Sequence, residues 1–185
     1  HNAEIGLKGG ITMLETIKSH ELKHKTLKLE RINSDNVFDI ADLTIAEDQV
    51  DFVAPNQESI ALAYGYLMEG KYVEAFGIYD GEMPVGFVMI GHDTFDFEGC
   101  PKIYKHTYHL WRFMIDKNLQ GRGYGKDALK LILDYMLTFP DGEEAFLSTS
   151  CDENNPVARK LYVSFGFEPN GEFSGPEEVL VLRVK

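Results

Sequence analysis

The passage that most constrains this chain runs over residues 107–137. Residues 107–116 read as a strand. Gln120-Gly121-Arg122-Gly123-Tyr124-Gly125 then places three glycines in six positions. Behind them Ala128, Leu129, Leu131, Ile132, Tyr135 and Met136 mark the apolar face of an amphipathic helix over 126–137. A glycine turn between strand and helix lets backbone N–H groups point inward, and the helix dipole adds positive potential at the same place. Together they form a cradle suited to phosphate, with the charges of Arg122 and Lys126 nearby. The same turn also reads as a plain helix-entry loop. Two other phosphate loops are excluded. Gly125-Lys126 is followed by Asp127, which lacks the hydroxyl a P-loop supplies to magnesium, and the glycine spacing is not Gly-x-Gly-x-x-Gly.

The rest of the chain alternates strands and helices around this unit. Strands are expected over 26–32, 72–79, 85–91, 145–149, 167–170 and 178–184, and helices over about 36–44, 59–68 and 155–165. Asp80-Gly81 marks a tight hairpin. The nearly continuous apolar run 85–91 reads as a strand buried on both faces. Ser59 is expected to open its helix, and Pro156 to occupy the first turn of the 155–165 helix. The order βααβββαβαββ defines a mixed α/β domain. Residues 1–12 lack periodicity and are read as a remnant or disordered leader, leaving one domain over 13–185 that could begin at Met13.

Composition excludes several functions. The 185 residues carry a formal charge of −12, which disfavours a nucleic-acid binder. No apolar run reaches the ~18–20 residues of a membrane helix. Cys100 and Cys151 form no CxxC, so neither a disulfide framework nor a zinc knuckle is expected, and a reducing, cytoplasmic setting fits. The charge is concentrated: residues 32–101 hold fourteen acids and one base, Lys71. Such a segment calls for a cationic partner, or serves solubility alone.

The glycine loop resembles the Gln/Arg-x-x-Gly-x-Gly/Ala signature of the GNAT superfamily of N-acetyltransferases. The passage from Asn155-Asn-Pro through Ala158, Leu161 and Tyr162 to Phe165-Gly166-Phe167 resembles that superfamily's second motif, in the same order and about 35 residues on. Trp111-Arg-Phe-Met-Ile-Asp116, the segment with Gln49 and Phe52-Val-Ala-Pro-Asn56, and Phe167-Glu-Pro-Asn-Gly-Glu172 are similar to bacterial spermine/spermidine acetyltransferases.

The resemblance implies a GNAT fold: a mixed sheet of about seven strands, flanked by four helices, with strands 107–116 and 145–149 splayed into an acetyl-CoA cleft. A strand bulge would free the backbone of Phe113, Met114 and Ile115 for the pantetheine arm and the thioester carbonyl. The loop Gln120, Gly121, Arg122, Gly123, Tyr124 and Gly125, with Lys126, would take the pyrophosphate, and Asn155 would face it. Tyr162 would protonate the departing thiolate. Beside Leu161 and Phe165 the same tyrosine also reads as core. The acceptor would be a small cationic amine, a polyamine or diamine, held by Glu47, Asp51, Phe52, Asn56, Ser59 and Trp111. Glu74 and Glu82 are candidates to bind it or remove its proton. An aminoglycoside, a peptide amine, or acyl-CoA sensing without turnover are the alternatives, and a homodimer is compatible with all of them. No metal is implied: if a strand included both His106 and His109, their spacing of three would point them to opposite faces, and Cys151 reads as a passive thiol.

Overall fold

The computed structural model describes residues 13–185; the expectation for residues 1–12 lies outside them. The sheet has seven strands: β1 (Leu27–Arg31), β2 (Tyr72–Asp80), β3 (Met83–His92), β4 (Thr107–Ile115), β5 (Phe146–Asp152), β6 (Glu168–Ser174) and β7 (Glu177–Arg183). Their order is β1-β2-β3-β4-β5-β7-β6. Every neighbouring pair is antiparallel except β4–β5, which is parallel and therefore needs a crossover helix. Among the described residues five α-helices surround the sheet: α1 (Met13–Ser19), α2 (Val37–Ala41), α3 (Asn56–Met68), α4 (Tyr124–Met136) and α5 (Pro156–Ser164).

Three helix expectations need correction. α1 is additional to the four expected. Leu14 and Ile17, three residues apart, pack into the core, with Ile17 fully buried; seven residues are too few for periodicity to stand out. α2 stops at Ala41 because the following backbone is tied to the end of β4: Thr44 N–H donates to Asp116 Oδ2 (3.1 Å) and Lys117 N–H to the Thr44 carbonyl (2.8 Å). α3 begins at Asn56 behind Pro55, so Ser59 does not open it. Instead Ser59 lies buried in the first turn, its Oγ without a hydrogen-bond partner among the described residues.

Helices cover both faces. α4 presents Ala128, Leu129, Ile132, Leu133 and Met136, all fully buried, to Phe76, Ile78, Val88, Ile90, Tyr108 and Leu110. Such side chains stabilise by about 1.5–3 kcal/mol each when large. α5 extends that layer with Tyr162 and Phe165. On the other face Ile40 of α2 and Ala63 of α3 cover Val73, Phe87, Met89 and Met114. β3 is thus buried on both sides, as its unbroken apolar run requires.

Candidate active site

The sheet opens between its two parallel strands. β4 and β5 pair only from Thr107–Phe146 to Leu110–Thr149. Beyond that point β4 stays with β3 to Ile115, and β5 stays with β7 to Asp152. The cause lies in the β3–β4 register: Ile90 faces Leu110 but Met89 faces Arg112, leaving Trp111 as an extra residue. A bulge of this kind bends its strand and disrupts the ladder. At the fork the Thr149 hydroxyl donates to the buried Leu110 carbonyl (3.1 Å). Gly86 opposite Ile115 makes the bend sterically feasible, since a Cβ there would run into the Met114 carbonyl.

The fork holds a cleft of about 330 Å³, with Leu110, Trp111, Phe113, Met114 and Ile115 on one wall and Thr149, Asn155, Ala158, Leu161 and Tyr162 on the other. Gln120, Gly121 and Gly125 line one end, and Phe52 the side towards α3. Gly121 and Gly123 are left-handed (φ 74° and 98°), and Gly123 caps α4 with no side chain among the described residues bonded to its first turn. The N–H groups of that turn are therefore available to an anion. The space at Gly121, where no atom lies within 4 Å of a built Cβ, leaves room for one. An apolar cleft for a thioester arm beside free amide donors for a diphosphate fits acetyl-CoA.

Gln120 is a clamp. Its side-chain amide pairs reciprocally with that of Gln49 (2.8 and 3.1 Å) and also donates to the Ile115 carbonyl (3.0 Å). Arg122 and Lys126 are exposed and do not line the cleft. The Tyr124 side chain turns away, its hydroxyl donating to Asp80 (2.8 Å) and its ring stacked on His24. Asn155 caps α5, accepting the Ala158 N–H (3.1 Å), and borders the cleft opposite the loop. Tyr162 is 7% exposed at the throat. Burial pushes its phenol well above the ordinary tyrosine range, and the Thr149 hydroxyl offsets only part of that.

The acceptor residues expected from sequence divide. Phe52 and Trp111 border the cleft, with Trp111 edge-on to Phe95 and Tyr66 (4.5 and 5.5 Å). Glu47 and Asp51 are exposed on the segment next to Phe52, outside the cleft lining. Asn56 is buried, its amide spent on the Ile40 carbonyl (2.8 Å), so it holds α2 against α3. Ser59 is buried beneath α3. Glu74 and Glu82 are displaced from the site. Glu74 binds Arg31 through two hydrogen bonds (2.7 and 2.8 Å) on the α4 side of the sheet. Glu82, at the β2–β3 turn, faces solvent beside Lys28.

Sequence reasoning missed a polar group beyond the throat, on the face opposite α5. Glu178 pairs with Arg159 of α5, so its neighbour Glu177 points the other way and accepts a hydrogen bond from the Ser150 hydroxyl. Tyr104 lies near Ser150 and Ser174, its buried hydroxyl without a well-aligned partner among the described residues. Arg112, brought to this side by the bulge, stacks over Trp111 (5.4 Å), its Nε likewise without a partner among the described residues. Burial lowers the Arg112 pKa against the opposing pull of Glu177 and Glu58. A Glu-Glu pair at a strand start carries no local signal of this role. Cys151 is buried, its thiol pushed up to about 11 by burial, which leaves no useful thiolate. His109 is buried against Ser148 while His106 is exposed, so they share no site. Among the described residues no cluster of three metal-ligating side chains occurs, and no helix is long and apolar enough to cross a membrane.

A sheet forked between parallel strands, with an uncapped glycine turn at one end and a buried phenol at the throat, defines an acyltransferase that takes its acyl group from a thioester carrier. The chain belongs to the Acetyltransferase (GNAT) family, whose profile matches residues 41–167, and it is an acetyl-CoA-dependent N-acetyltransferase. It is 32% identical over 168 residues to the "Probable spermine N(1)-acetyltransferase" of Bacillus subtilis subsp. natto, covering 86% of this chain and 99% of that protein. It is 31% identical, over the same shares, to the spermine/spermidine N(1)-acetyltransferase of Bacillus subtilis. Among solved structures it resembles the spermidine N-acetyltransferase of Vibrio cholerae in complex with CoA and spermine (TM-score 0.61, 17% identity, 86% of this chain and 95% of that one). It also resembles the aminoglycoside acetyltransferase AAC(6')-Ib in complex with coenzyme A (TM-score 0.66, 17% identity, 85% and 94%). At that identity the two structures bear on the fold alone.

Proposed function

We propose that the chain acetylates a polyamine or diamine of the spermine/spermidine class, with Tyr162 as the general acid. The observation that carries the mechanism is the Tyr162 phenol, buried at the throat beside Thr149 and held in its protonated form by that burial. Acetyl-CoA supplies a thioester whose carbonyl carbon is open to a neutral amine. As the C–N bond forms and the C–S bond breaks, Tyr162 passes its proton to sulfur. The amine's surplus proton leaves towards solvent, and the phenol is reprotonated from there. Past the bulge, Phe113, Met114 and Ile115 pair with β3 but have no strand partner on the cleft side, and the N–H groups of this stretch that point away from β3 would receive the thioester carbonyl. The turn Gly121–Gly125 would bind the diphosphate, and Asn155 would border it from the other wall.

The polyamine reading is supported by the two Bacillus relatives and by the acidic segment. Glu47, Asp48 and Asp51 stand exposed beside Phe52 at the cleft's edge, where they would attract a flexible polycation. Coenzyme release from acetyl-CoA, assayed with spermine, spermidine, putrescine, aminoglycosides and a basic peptide, tests this. The highest kcat/KM is expected for a linear polyamine. Preference for an aminoglycoside or peptide would replace the acceptor assignment while leaving acetyl transfer in place.

A further inference from the structure

We infer that the segment between α1 and β1 sets the orientation of the phosphate turn, with Lys23 as its positioning residue. This rests on the reading of the 120–125 turn as the coenzyme's diphosphate cradle. Lys23 lies upstream of residues 41–167, where the family match falls. Its ammonium donates to the Arg122 carbonyl (2.9 Å). A trans peptide is planar, with its C=O and N–H pointing in opposite directions. Holding the Arg122 carbonyl towards Lys23 therefore directs the Gly123 N–H away from Lys23, in a turn whose Gly121 and Gly125 line the cleft. The peptide would otherwise turn easily, because it leads into Gly123 and glycine tolerates either sign of φ.

Lys23 is exposed, but its backbone is held. Asp127, in the first turns of α4, accepts the His24 N–H and the His24 ring Nδ1 at 2.8 Å each, and the His20 ring Nε2 at 3.2 Å. The His24 ring stacks on Tyr124 with centroids 3.8 Å apart. The segment is thus fastened on both sides of Lys23, to the same helix whose N-terminus forms the cradle. The Lys23 stem lies 3.4 Å from where a Cβ on Gly123 would stand. Lys23 is a further cation at the turn besides Arg122 and Lys126, and it acts from behind the peptide.

The test compares Lys23→Met, Lys23→Arg and Gly123→Val with wild type. The dissociation constant of coenzyme A is read by titration calorimetry, together with the ratio of kcat/KM for acetyl-CoA over acetyl-pantetheine, which lacks the diphosphate. Loss of the ammonium should weaken coenzyme A about three- to tenfold and lower the ratio by a similar factor. Lys23→Arg, which keeps a charged donor, should recover most of both. If Gly123→Val weakens coenzyme A while Lys23→Met binds it like wild type, the cradle stands and the role of Lys23 is refuted. If neither variant changes binding, the diphosphate lies elsewhere and both readings fall. A fall in kcat/KM for acetyl-pantetheine as large as that for acetyl-CoA would make Lys23 a general stabiliser and also overturn the inference.

Discussion

At the residue scale, two buried ionisable groups show opposite outcomes of burial. Tyr162 has little to stabilise its charged form, so burial keeps the proton on. Replacing Tyr162 by Phe should lower kcat about 10²–10⁴-fold while acetyl-CoA affinity stays close to wild type; an unaltered kcat would remove it as the acid. Asp127 is also buried, which alone would raise its pKa. Hydrogen bonds from the His24 N–H and ring, the Lys23 backbone and His20 outweigh that, and its carboxyl titrates below the ordinary value. A carboxyl depressed in the folded state stabilises above its unfolded pKa of ~3.9, and that contribution is lost as pH falls through the lower folded value. Asp127→Asn should therefore destabilise the protein at neutral pH by about 1.5–3 kcal/mol and shrink the penalty under strong acid. Urea unfolding at neutral and acid pH reads both effects; equal penalties at the two would contradict the assignment.

At the element scale, the site is made by pairing that stops. β4 and β5 share only four register pairs before the Trp111 bulge separates them. β3 then carries the unpaired length of β4 alone, with Gly86 against the Met114 carbonyl. Gly86→Ala should push that backbone apart and cost about 1–3 kcal/mol, seen as a lower urea midpoint. It should also weaken acetyl-CoA binding, because the displaced stretch forms the cleft wall. Wild-type stability and affinity would mean that the bend does not depend on this close approach.

At the scale of the whole molecule, the charge imbalance is the property to test. Part of the acidic excess is committed locally: Glu74 to Arg31, Asp80 to Thr26 and Tyr124, and Asp96 to Lys105. The exposed Glu47, Asp48 and Asp51 lie where a field at the cleft mouth would act on an arriving cation. From about 0.01 M to about 1 M salt the screening length falls from ~30 to ~3 Å. Over that range kcat/KM for spermine should drop by roughly tenfold or more. A flat profile would indicate that the acidic segment does not steer the acceptor.

The sequence by itself determined the seven strands, the glycine turn into α4, the helix carrying Tyr162 and the acidic middle segment. Each is written in neighbouring residues, as an apolar period, a glycine spacing or a run of like charge. Only the tertiary structure decided which polar side chains face the cleft. Asn56 is spent on the Ile40 carbonyl, Glu74 on Arg31, and Gln120 on Gln49 and Ile115. Glu177, Arg112 and the α1–β1 segment enter the picture unannounced. His24 and Asp127 stand 103 positions apart in the chain, and a partner at that distance leaves no trace in local periodicity. Secondary structure follows from interactions within a few residues, whereas the fate of a polar side chain depends on whatever the sheet order brings opposite it.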